Sequence, residues 1–156
     1  MFRFLNGRLI GENISFEPPE NFFMIVRRAE FFGDGFMFVS ADNSIKVTIS
    51  LERDVLSDED AIYDFIEEHS FRILGDIQKI KRGTRTVFGF FYGYGNLPAG
   101  EYKEVFTFRR NKYLENQVIV TVQLDGWRRG IGNNIYAVMD SPPIKNFFDS
   151  IEYRCY

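Results

Sequence analysis

Few residues of this chain are able to do chemistry. His69 is the only histidine and Cys155 the only cysteine among 156 residues. A histidine base needs an activated nucleophile within reach. No serine stands in a G-x-S-x-G turn, and Cys155 is one residue from the C-terminal end, where chains fray. The plainer role for His69 is to close a helix, where its charged form meets the favourable end of the dipole. Zinc asks for several His or Cys ligands, and one of each is too few. Asp54, Asp58, Glu59 and Asp60 offer oxygens to calcium or magnesium but lack the Asp-x-Asp-x-Asp-Gly loop and its distal Glu. Acidic residues at a helix start explain them. Asp64 with Glu67 or Glu68 could pair for glycoside hydrolysis, but they fall on a helix face that should meet water. No catalytic residue, metal ligand or cofactor-binding residue is therefore expected, and the chain reads as not an enzyme.

Binding residues are easier to nominate. Gly126-Trp127-Arg128-Arg129-Gly130-Ile131-Gly132 sets Arg128, Arg129 and the Trp127 indole in one loop, where an anion or an acidic segment could dock. The plainer account is a surface loop with a tucked Trp127. Lys79, Lys81, Arg82 and Arg85 surround one turn, and Arg109, Arg110 and Lys112 surround another. If these hairpin ends meet, they form a basic rim that would steer an acidic partner; otherwise they are a solvated rim. Gly89-Phe90-Phe91-Tyr92-Gly93-Tyr94-Gly95 has neither the G-x-G-x-x-G order nor the Gly-Lys-Ser/Thr of a phosphate loop. It reads instead as a strand in which Phe88, Phe90, Tyr92 and Tyr94 line one face. Val87, Gly89, Phe91 and Gly93 line the other. Glycine inside a strand marks close approach of another group, so Gly89, Phe91 and Gly93 border either a tightly packed helix or a ligand pocket.

The elements holding these residues follow from periodicity. Asn6-Gly7 predicts a type I′ hairpin within 2–10. Ile14 to Glu17 reads as a short strand ended by Pro18 and Pro19, and Phe22 to Arg28 as another. Phe36 to Ala41 and Ile45 to Glu52 flank the turn formers Asp42-Asn43-Ser44. In the second of these strands Ile45, Val47, Ile49 and Leu51 alternate with Lys46, Thr48, Ser50 and Glu52, which gives one dry and one wet face. Ser57 is the expected N-cap of a helix whose apolar stripe is Ile62, Phe65, Ile66 and His69. Ile77 to Lys81 and Thr84 onward read as a hairpin, as do Tyr102 to Arg110 and Glu115 to Leu124. Asp125 to Asn134 is a loop, and Ile135 to Met139 a helical turn. Pro143 opens a short helix whose Ile144, Phe147, Phe148 and Ile151 must dock on the sheet.

These elements predict one α+β domain over 1–156: a mostly antiparallel central sheet with one mid-chain helix and one short C-terminal helix packed on it. The material for a core is ample, since 45% of residues are hydrophobic and eighteen are Phe. A net charge of −3 argues against nucleic acid, which needs a basic surface. No apolar run is long enough for a signal peptide or a membrane span. With Met1 as the start, the expected location is the cytoplasm.

The order of elements resembles the PsbP-like group, which includes the DcrB-related bacterial proteins. The similar stretches are Ile14-Ser15-Phe16-Glu17-Pro18-Pro19, the helix after Lys46-Val47-Thr48-Ile49, the strand Val118-Ile119-Val120-Thr121-Val122, and Ile144-Lys145-Asn146-Phe147-Phe148-Asp149-Ser150-Ile151. The resemblance covers nearly the whole chain and implies a central antiparallel sheet, flanking helices and usually no enzymatic chemistry. It transfers no binding residue. The expected function is a protein-binding, adaptor or chaperone-like domain. The alternatives are an immunity-type inhibitor and a small-ligand binder with a pocket beside Gly89 and Gly93. The expected partner is an unidentified protein, with a homodimer as one form of it. No cofactor, nucleic acid or membrane is expected.

Overall fold

The computed structural model describes residues 2–29, 33–53, 56–94, 100–111, 114–124 and 135–154. Twelve strands and three short helices fill them, and every strand pairing is antiparallel. Two sheets are present where one was expected. The smaller joins β1 (Arg3–Leu5), β2 (Arg8–Ile10), β3 (Ile14–Phe16) and β12 (Glu152–Tyr153) in that order. The larger runs β4 (Phe23–Ala29), β5 (Gly33–Val39), β6 (Ile45–Arg53), β11 (Leu114–Leu124), β10 (Gly100–Asn111), β9 (Arg85–Tyr94) and β7 (Phe71–Ile73). Strand β8 (Gln78–Arg82) also pairs with β9.

Local chemistry sets the hairpins. Asn6 and Gly7 both have positive φ, as a type I′ turn requires, and place Leu5 opposite Arg8. Between β5 and β6, Asp42 accepts hydrogen bonds from Ser40 Oγ (2.8 Å), Ser44 N (3.0 Å) and Ser44 Oγ (2.6 Å). Asn43 next to it takes φ 59°. These bonds hold the Asp42 carboxyl down at about 2, the Ser44 hydroxyl contributing most.

The large sheet has a core on each face. Val118, Val120, Val122 and Leu124 of β11 join Ile45, Val47 and Ile49 of β6 on one side, with the small sheet and the C-terminal helices over them. Ile119 of β11 points to the other side, where α1 (Glu59–Glu68) presents Ile62 and Ile66 to Phe90, Tyr92 and Val105. The N-cap of α1 is Asp58, not Ser57, and its side chain accepts from Ala61 N at 2.8 Å. The stripe also ends a turn early. His69 caps the helix, is exposed, and donates from Nδ1 to the Phe65 carbonyl (2.9 Å), with its ring stacked on Phe71.

Two helices, not one, close the chain. They are α2 (Ile135–Asp140) and α3 (Pro142–Ser150). Pro142 and Pro143 occupy the first turn of α3, where a missing N–H costs nothing. Ile144, Phe147 and Phe148 are buried, and Ile151 follows them into the core. Phe147 meets Phe16 edge-on at 5.5 Å, which clamps α3 to β3. Each such ring contributes on the order of 1.5–3 kcal/mol by burial.

Candidate functional site

Three consecutive exposed apolar residues lie along β4, the edge strand of the large sheet among the described residues. Phe23 is 66% exposed, Met24 49% and Ile25 48%. Phe23 and Ile25 share one face, opposite Val39 and Met37, and Met24 shares the other with Phe38. Strand β4 therefore shows apolar side chains on both faces. Among the described residues, β5 alone pairs with it, so its outer backbone groups face outward. Among the described residues β1 is a second edge without an outer neighbour, where Phe4 is 65% exposed and Leu5 50%. Phe2, just before β1, packs edge-on against Phe36 of β5 at 4.6 Å, whereas Tyr153 of β12 stacks on Phe106 of β10. The β1 and β4 edges thus open on the same flank of the molecule. The sequence signal was the unbroken apolar run Phe22-Phe23-Met24-Ile25-Val26, which shows no alternation.

A second cluster is buried between the sheets. The Glu104 side chain is fully buried on the small-sheet face of β10, in line with Tyr102 and Phe106. Arg82 grips it with two bonds, Nε to Oε1 (2.9 Å) and Nη2 to Oε2 (3.0 Å). Tyr102 donates to Oε2 at 2.9 Å and Tyr153 to Oε1 at 3.3 Å. Four donors from β8, β10 and β12 thus meet one carboxylate. Burial opposes the Arg82 charge, but the bonds and charge of Glu104 outweigh it and raise the guanidinium above its ordinary value. Burial, followed by the Glu104 charge, pushes the Tyr102 and Tyr153 hydroxyls far up, so both stay neutral donors. Arg82 also lies over the Phe148 ring of α3, 5.4 Å from its centroid.

On the opposite face, beneath the edge of α1, Tyr92 hydrogen-bonds the buried Glu101, and Lys103 donates to Thr121 Oγ1 at 2.9 Å. Burial lowers the Lys103 ammonium, against the pull of Glu101 and then Glu52. Neither Glu101 nor Glu104 was singled out by sequence, although Glu104 interrupts the aromatic series Tyr102, Phe106 and Phe108 of β10.

The nominated residues fare as follows. Lys79, Lys81 and Arg85 are exposed around the β8–β9 turn, and Arg109 is exposed near the β10–β11 turn. Both turns lie at one end of the sheet, because β9 and β10 run antiparallel with Phe88 opposite Val105. Arg82 does not belong to this rim. It alternates to the inner face with Ile80 and is consumed by Glu104. Arg110 lies in β10, and its side chain is outside the described residues, as are Trp127, Arg128, Arg129, Asp54, Lys112 and Cys155.

Gly89 is buried opposite Glu104, and a Cβ there would lie 2.5 Å from Tyr102 Oη and 2.6 Å from Ile80 Cδ1. The missing side chain admits the Tyr102 phenol. Gly93 stands between Gly100 and Arg72 in the ladders, and Phe91 packs on Tyr102 (4.7 Å) and Tyr136 (4.4 Å). A notch of about 260 Å³ lies elsewhere, lined by Glu17, Pro18, Glu20, Pro143, Asn146 and Phe147. Among the described residues no three His, Cys, Asp or Glu side chains converge as metal ligands, and no helix is long and apolar enough to cross a membrane. The chain matches no protein-family model and no curated protein.

Proposed function

We propose that this chain is a non-enzymatic protein-binding domain that engages another polypeptide along the open edge of β4. The observation that carries the reading is the exposure of three consecutive large apolar residues, Phe23, Met24 and Ile25, on a seven-residue edge strand. An extended partner segment satisfies both needs of such an edge. Its backbone pairs with the outward N–H and C=O groups, and its side chains cover the exposed rings. The basic rim of Lys79, Lys81, Arg85 and Arg109 is a separate feature at a sheet end. An adaptor, a chaperone-like protein or an immunity-type inhibitor all fit this reading, as does the binding role implied by the PsbP-like resemblance. The ligand-pocket alternative has less support, because side chains occupy the space over Gly89.

The test compares proteins captured from native lysate by the unmodified chain and by the Phe23→Glu, Ile25→Glu double variant, with melting temperatures taken in parallel. Loss of capture without loss of folding is expected. Equal capture by both proteins would exclude β4 as the binding edge.

A further inference from the structure

We infer that the notch between the β3–β4 connection and α3 is a pocket for one cationic side chain, arginine or lysine, presented by a partner polypeptide. The inference goes beyond β4 as a binding edge and does not require it. The notch measures about 260 Å³ and is lined by Glu17, Pro18, Glu20, Pro143, Asn146 and Phe147. That is below the roughly 300–1,000 Å³ of small-molecule pockets, and suits a single side chain. Its lining has two halves. Pro18, Pro143 and Phe147 give an apolar wall, whereas Glu17, Glu20 and Asn146 bring oxygens, and no basic residue lines it. A long aliphatic stem that ends in a positive charge matches both halves at once. Lysine and arginine lay their methylenes on apolar surface and keep the charged head among polar groups.

The two carboxylates differ in what they already hold. Glu17 faces Arg8, whose Nη1 lies 3.7 Å from its Oε1. Glu20 is exposed, and among the described residues no cation pairs with it. Nor does the start of α3 occupy it, because Pro142 and Pro143 there carry no N–H to donate. Glu20 is therefore the carboxylate left for an incoming cation, and the Asn146 amide oxygen can accept a second bond from the same head. The walls are fixed in advance, which lowers the cost of binding. Phe147 is buried and held edge-on by Phe16 at 5.5 Å and Phe148 at 5.0 Å. A turn closed by Phe22 N and the Pro19 carbonyl (3.3 Å), with Asn21 at φ 64°, sets the position of Glu20. The notch also adjoins the exposed edge. Phe147 lies 6.4 Å from Phe38, which stands opposite Met24 of β4.

Amide NMR of the intact chain, titrated with capped tripeptides, tests the inference. The four probes carry arginine, lysine, citrulline or norleucine between two alanines. Citrulline keeps the shape of arginine without its charge, and norleucine keeps an aliphatic stem without a charged head. Saturable shifts at Glu20, Asn146 and Phe147 are expected with the arginine probe, the lysine probe or both, and the stronger of the two identifies the cation. The neutral probes should leave those signals in place. Glu20→Gln is expected to weaken the cationic probe about fivefold, and Asn146→Trp, which fills the notch from an exposed helix position, should abolish its binding. Melting temperatures accompany both variants. The Phe23→Glu, Ile25→Glu variant should bind the probe as the unmodified chain does, which separates the notch from the β4 edge. Absence of shifts at the notch with either cationic probe, equal shifts with citrulline, or full binding by a folded Glu20→Gln chain would overturn the inference. So would loss of the probe in the Phe23→Glu, Ile25→Glu variant, since it would place the peptide on β4 instead.

Discussion

Glu104 shows how much one residue can organise. Its carboxylate is fully buried and relies on Arg82 for countercharge. Arg82→Met therefore leaves a buried anion with two phenol donors only, and a loss of about 3–5 kcal/mol is expected. Arg82→Lys keeps the charge but loses the fork and should fall between. Urea unfolding of the three proteins measures both. Glu104 was legible in principle, since Tyr102, Glu104, Phe106 and Phe108 occupy successive inward positions of one strand. An acid in that series must be paired. Its partner was not legible, because a residue beside a turn points inward or outward according to a ladder that sequence alone does not fix. By type and spacing alone Arg82 is indistinguishable from the solvated Lys79 and Lys81 beside it.

Elements whose signals are local were read well. Asn6-Gly7, the Asp42 turn and the Ile144–Ile151 stripe stand as their residues dictate, whereas β6 buries Ile45, Val47 and Ile49 but leaves Lys46, Thr48, Ser50 and Glu52 half-buried, not wet. The Asp42 turn has its own pH signature. Its carboxyl is held at about 2 rather than 3.8, so the turn contributes fully above the ordinary value and loses its contribution as pH falls from there to about 2. The site is exposed, which limits the effect. Asp42→Ala is expected to cost about 1 kcal/mol at neutral pH, and the difference from the unmodified chain should shrink as pH falls toward about 2. Thermal melts across that range check it. The second sheet escaped sequence reading because its closing strand has two residues. The pairing of Glu152 with Ser15 and Tyr153 with Ile14 links segments far apart in the chain, and no periodicity is visible over so short a stretch.

The whole molecule is a large twisted sheet with a cover on each side and one apolar flank, where β1 and β4 both end. Its alkaline limit follows from the two raised phenols. Tyr102 and Tyr153 stay neutral when folded but ionise near 10.0 when unfolded. Their contribution is complete below that value and is lost as pH rises beyond it. Alkaline titration followed by phenolate absorbance should show these two of the eight tyrosines ionising together with unfolding. Ionisation of Tyr102 and Tyr153 without an unfolding step would contradict the burial of the pair. The flank itself was the least legible feature. Apolar runs are ordinary in strands, and only the order of strands puts this one at an edge.

The pairing of β3 with β12 also bears on how the chain is made. Residues 14 and 15 leave the ribosome long before residues 152 and 153, their ladder partners. Until residues 152 and 153 emerge, β3 lacks one neighbour and Glu104 lacks the Tyr153 hydroxyl. The two-sheet core is therefore completed only once residues 152 and 153 have emerged, and until then the nascent chain presents that unpaired strand to the chaperones around the exit tunnel.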